Sequence, residues 1–208
     1  MDVILDGERD FAVQGSPEDS LAVVGAVSDF LRERGRAIVT VNADGEEILP
    51  QDLVTSLQGI SVEQISVLEI GSGEVAALVE TCLRELMAVL PELPSACRSL
   101  AEIFQGETPE EGYEPFEELA NIWATIKKRE AMVANALDLD LEGLEAGGQS
   151  ISAIHLALNS HLEEAAQALV DQDCVLLGDL LEYELAPRAE LEATIVAMLH
   201  EQAAANRG

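Results

Sequence analysis

The stretch Ile65-Ser66-Val67-Leu68-Glu69-Ile70-Gly71-Ser72-Gly73-Glu74-Val75-Ala76-Ala77-Leu78-Val79-Glu80-Thr81-Cys82 changes period halfway along. Up to Ile70 its β-branched residues suit an extended strand. From Val75 onward, Val75, Leu78, Cys82, Leu86 and Val89 recur every three or four residues, the spacing of one helix face. Gly71-Ser72-Gly73 lies between the two patterns and reads as a linker. The chain therefore divides into a strand-bearing domain, residues 1–72, and a helical domain, residues 73–208, which predicts an α+β protein.

Upstream of this stretch, Val3 and Leu5 alternate with polar neighbours, Asp6-Gly7 is a two-residue hairpin turn, and Phe11 and Val13 resume the alternation. Residues 1–14 thus predict a hairpin. Ser16-Pro17-Glu18-Asp19 offers a capping serine, a proline at the first helical position and an acid at the third. The stripe Leu21, Val24, Val27 and Leu31 follows, and Gly35 closes the helix. A second hairpin runs from Ala37 through Asp44-Gly45 to Leu49, then a short helix from Pro50 to Leu57 ends at Gly59, and residues 65–70 supply the last strand. The predicted order is β-β-α-β-β-β, with the short helix before the final strand.

That order, with its two Asp-Gly turns, resembles the ubiquitin-like β-grasp fold over residues 1–72. The resemblance implies a docking module. Members that are conjugated or carry sulfur need a free C-terminal Gly-Gly, whereas Gly71-Ser72-Gly73 runs into more than 130 further residues.

Downstream, Leu93, Cys97, Leu100 and Phe104 predict a second helix between Pro91 and Gly106. Residues 107–118 form an acidic connection with two prolines and a glycine, exposed and facing a partner, and Tyr113 and Phe116 are its aromatic side chains. Phe116, Leu119, Trp123, Ile126, Val133 and Leu137 give a third helix whose stripe is interrupted by Glu130. Ile151, His155, Leu158, Leu162, Ala165 and Leu169 form a fourth, and Leu177, Leu180, Leu181, Leu191, Ile195 and Met198 a fifth that Pro187 should bend. The product is a four- or five-helix bundle.

Charge sets the class of partner. The chain carries 40 acidic against 11 basic Lys and Arg residues, net −29 over 208 residues. Such a surface repels nucleic-acid phosphate and anionic lipid, which excludes nucleic acid as a partner and favours a basic or amphipathic-helical protein. Both domains share the charge, −10 in residues 1–72 and −19 in residues 73–208. This spread argues against a nucleic-acid mimic with acids on one face. An acid-rich surface whose only lysines are Lys127 and Lys128 is equally what salt adaptation or a GC-biased genome produces. The N-terminal residues lack the basic and apolar regions of a secretory leader, and the apolar runs fall short of the ~20 residues that cross a bilayer. The expectation is a cytoplasmic protein without membrane insertion; its oligomeric state is open. Cys82, Cys97 and Cys174 sit in helical patterns and read as reduced thiols.

Few residues suggest chemistry. His155 occupies an apolar seam without a Glu-x-x-His or a second suitably spaced histidine, so it reads as a hydrogen-bonded core residue and no metal site is legible. Asp138-Leu139-Asp140-Leu141-Glu142-Gly143 looks like the first half of an EF-hand loop, but position twelve is Gln149 instead of glutamate, and an acidic turn between helices is the simpler reading. Lys127-Lys128-Arg129 reads as a solvated helix face stitched to nearby acids. No phosphate-binding glycine loop, nucleophile elbow or Cys-x-x-Cys motif occurs, so no cofactor is implied.

Tyr183, Glu184 and Pro187 join Tyr113 and Phe116 as partner-contact candidates. The leading reading is a non-enzymatic acidic adaptor or chaperone-like protein, similar in composition to bacterial secretion and flagellar export chaperones and to acidic proteins associated with flagellar functions. The alternatives are an immunity-type or nucleic-acid-mimic inhibitor of a basic cleft, and an enzyme using carboxylates around a metal in the bundle.

Overall fold

The computed structural model describes residues 1–9, 11–13, 19–49 and 52–205. The chain is α+β and divides into two compact units, Met1–Leu78 and Val79–Gly208.

The first unit comprises β1 (Asp2–Leu5), α1 (Ser20–Arg32), β2 (Arg36–Ala43), β3 (Glu46–Glu47), α2 (Leu53–Leu57) and β4 (Val67–Glu74). The sheet order is β1-β4-β2-β3, with β1 parallel to β4 and the other pairs antiparallel. Val23, Val24, Val27 and Leu31 on one face of α1 pack with Val3, Leu5, Val41, Leu68 and Ile70 of the sheet to form this unit's core. Asp44-Gly45 makes the expected turn, both residues at positive φ, and pairs Ala43 with Glu46.

Three expectations are corrected here. Asp6-Gly7 turns as predicted, but the return strand stops after the Leu5–Glu8 bridge. Phe11 leaves the sheet and sets its ring edge-on to Phe30 of α1, 4.9 Å between centroids, so its apolar area is covered by the helix. The sheet therefore has four strands instead of five. The cap of α1 is Asp19, whose carboxylate accepts from Ala22 N at 2.7 Å; the predicted cap at Ser16 and Pro17 lies outside the described residues, as does Pro50.

Gly71-Ser72-Gly73 is not a linker but the end of β4, paired with Thr40, Ile38 and Ala37 of β2 in that order. Asp6 accepts from Ser72 N and Ser72 Oγ, both at 2.7 Å, and Arg36 Nε donates to Ser72 Oγ at 2.8 Å, which fixes the strand where composition suggested flexibility. A Cβ on Gly71 would meet Thr40 Oγ1, so any larger residue here has to turn the threonine side chain aside.

Helix α3 (Val75–Val89) follows directly, and the second unit adds α4 (Leu93–Phe104), α5 (Tyr113–Ala136), α6 (Ile151–Val170), α7 (Cys174–Asp179) and α8 (Ala186–Ala205). A short hairpin of β5 (Glu145–Ala146) and β6 (Gln149–Ser150) precedes α6 and turns on Gly147-Gly148, both at positive φ. Composition had suggested only an acidic turn there. Between α7 and α8, Leu180–Leu185 form a π-helical turn, so the three segments run on without a break. Pro187 sits in the first turn of α8, where its missing N–H follows the widened turn.

Helix α5 starts earlier than the prolines of residues 107–118 suggested. Only Pro109–Gly112 form a 3-10 turn, and Pro115 falls within the first helical turn, where no intrahelical N–H bond is lost. Leu93, Cys97, Leu100 and Phe104 of α4 and Phe116, Leu119, Trp123, Ile126 and Val133 of α5 are buried as read.

Candidate functional site

In the second unit, α5, α6 and α8 each direct one ionisable side chain into the interior. On α5, Glu130 lies four residues after Ile126 and three before Val133, and so shares their buried face. On α8, Glu192 follows Ala189 and precedes Ile195 and Val196, all buried. His155 stands beside buried Ile154 on α6, with a small part of its ring exposed. The three side chains converge: one donor atom from each lies within 4.8 Å of the others, and no second such group of His, Cys, Asp or Glu occurs among the described residues.

His155 Nε2 is 2.8 Å from Glu130 Oε2, a hydrogen bond that the imidazole N–H donates when Glu130 is ionised and that the carboxyl O–H donates to the bare ring nitrogen when Glu130 is protonated. Glu130 Oε1 and both carboxylate oxygens of Glu192 are buried with no donor to accept from. A buried carboxylate without donors is expensive to ionise, so desolvation pushes Glu130 up to about 7. Glu192 rises to about 8, from desolvation first and then from Glu130's charge and from the hydrogen bond the pair makes when one of them is protonated. His155 moves the other way. Burial holds its imidazole below the usual range, Glu192 opposes this, and the cations Lys127 and Arg188 reinforce it. Arg188, one turn before Glu192 on α8, is itself lowered by burial while Glu192 and Glu184 pull it back up. Two acids inclined to stay protonated and an imidazole inclined to stay neutral form one coupled cluster.

The sequence reading left His155 without companion ligands because it looked for them on the same helix; the fold supplies them from two others. Glu130 was visible as the gap in the α5 stripe. Glu192 was hidden, because Leu191 and Met198 beside it offered an apolar stripe that the structure turns partly outward.

The predicted partner residues separate. Phe116 is buried, with Phe104's ring edge-on at 6.4 Å between centroids, and belongs to the core; the partner-contact reading is corrected for it. Tyr113 is half-buried, also against Phe104, at 6.0 Å. Tyr183 is 63% exposed on the π-helical turn, and Glu184 and Pro187 beside it are exposed. Glu184 Oε2 lies 3.4 Å from His161 Nε2 of α6.

In the basic run, Lys127 bonds Asn159 of α6, and Arg129 pairs with Glu85 of α3 at 2.8 Å, partners on other helices instead of the neighbouring acids expected. The EF-hand-like Asp138, Asp140 and Glu142 are exposed, and Asp140 caps Glu142 N locally.

The sequence matches the family described as a domain of unknown function (DUF8042) over residues 81–191, just over half of the chain. The chain belongs to the DUF8042 family. The matched segment contains Glu130, His155 and the whole π-helical turn, and Glu192 is the residue that follows it. No curated protein and no solved structure matches the chain significantly.

Proposed function

We propose that this DUF8042 protein is a non-enzymatic cytoplasmic adaptor whose helical unit receives a basic, amphipathic-helical segment of another protein. The observation that carries the reading is the exposed Tyr183 on a π-helical turn. Such turns are rare and recur at functional sites. This one displays an aromatic ring between Glu182 and Glu184 on a net −29 chain. An aromatic face between carboxylates suits a Lys or Arg side chain, which gains cation–π and charge-assisted contacts together. The acidic surface accelerates encounter with such a partner. Among the described residues no helix is long and apolar enough to cross a membrane.

The parallel β1·β4 pair, the sheet order and α1 across the sheet support the β-grasp reading of the first unit, and with it a docking role. Capture from native lysate with tagged full-length protein tests the adaptor reading. A stoichiometric partner should survive high salt with the wild type and be lost with Tyr183→Ala. Recovery of only salt-labile basic proteins, in equal amounts with both, contradicts it.

A further inference from the structure

We propose that Glu130, His155 and Glu192 bind one divalent transition-metal ion inside the helical unit. The inference goes beyond the adaptor reading and does not rest on it.

Three observations carry it. The donor atoms already converge within 4.8 Å. A metal at about 2.1 Å from each donor sets them about 3.4 Å apart in a tetrahedral shell, so closure asks for movements of about 1 Å by the glutamate tips. Next, three of the four carboxylate oxygens are buried and accept from no donor outside the pair itself, although a core normally pairs its polar atoms. Last, charge balances: two carboxylates and a neutral imidazole around a dication leave no net charge in the interior, whereas without the ion the two carboxylates avoid two buried negative charges only by holding protons.

The ligand set names the class of ion. An imidazole nitrogen among carboxylates suits zinc, cobalt, manganese or iron(II) and is poorly matched to calcium or magnesium, which favour all-oxygen shells. Coordination through Nε2 replaces the hydrogen bond to Glu130 and moves the imidazole proton to Nδ1. The exposed sliver of His155 marks the side from which the ion enters.

The test uses the full chain stripped with a chelator and titrated with Zn2+ by calorimetry and with Co2+ by visible absorption. Expected are one ion per chain, the intense d–d bands of a low-coordinate Co2+ site, and a rise in wild-type Tm on adding Zn2+. Glu192→Gln should weaken Zn2+ binding at least tenfold, while Glu163→Gln on the exposed face of α6 leaves it unchanged. Should Glu192→Gln not fold, His155→Gln, altering the one partly exposed ligand, gives the same readout. Two results overturn the proposal: no stoichiometric Zn2+ or Co2+ on the wild type, or equal binding by wild type, Glu192→Gln and His155→Gln. Either would leave the cluster held by a shared proton, with any bound metal on surface acids.

Discussion

Burying two carboxylates side by side costs several kcal/mol per charge unless something compensates. In the metal-free protein the compensation is protonation, and this fixes the sign of a pH effect. Unfolded, Glu130 and Glu192 ionise at the ordinary glutamate value; folded, they hold protons up to about 7 and about 8. Between those limits the folded state binds more protons, so stability falls as pH rises through the window and levels off above it and below the ordinary value. The groups facing the pair are His155 and Arg188; burial opposes charge on His155, and Arg188 tempers the loss without removing it. Chemical denaturation in chelator from pH 5 to 9 should show this decline, with a shallower slope in Glu192→Gln. A flat profile for the wild type would mean that the pair is ionised throughout. Glu130 was legible as a charge inside an apolar stripe; Glu192 was not, because hydrophobic periodicity gives no reason to prefer a glutamate over the leucine next to it.

Among the elements, legibility followed the width of the apolar stripe. Helices α4 and α5 each present a single run of large apolar residues, and sequence and structure agree on which side is buried. On α3 and α6 two neighbouring stripes are both apolar, and the predicted stripe coincides with the buried one only in part. In α3 Leu86 is buried as predicted, but Val79 and Leu83 are buried in place of Leu78 and Val89, and in α6 Ile151, Leu158 and Ala165 are buried as predicted while Ile154 and Ala168 join them in place of Leu162 and Leu169. This register is measurable. Leu158→Ala should cost about 2–5 kcal/mol, because it opens a cavity at a fully buried site. Leu156→Ala, two residues away and 72% exposed, should stay within about 0.5 kcal/mol. Equal losses in urea denaturation would show that α6 packs on a different face. The failed linker has a different cause: Gly71-Ser72-Gly73 is strand because Asp6 and Arg36, more than thirty residues away in sequence, bond Ser72, and composition within the segment carries no trace of them.

For the whole molecule, the α+β class and the succession of sheet and helices were legible because a change from strand to helical period is a long-range signal spread over many residues. The meaning of the charge was not, since a net −29 is compatible with steering a basic partner and with a surface adapted to its solvent. What separates the two is locality. A solvent-adapted surface binds basic proteins diffusely and loses them in salt, whereas an adaptor engages one face. Hydrogen exchange on the full chain, alone and with the partner recovered at high salt, is therefore the most direct measurement. The account predicts slowed exchange concentrated on the π-helical turn and the start of α8, from Leu180 to Ala189. Protection confined to the sheet of the first unit, or spread evenly over the acidic surface, would contradict it.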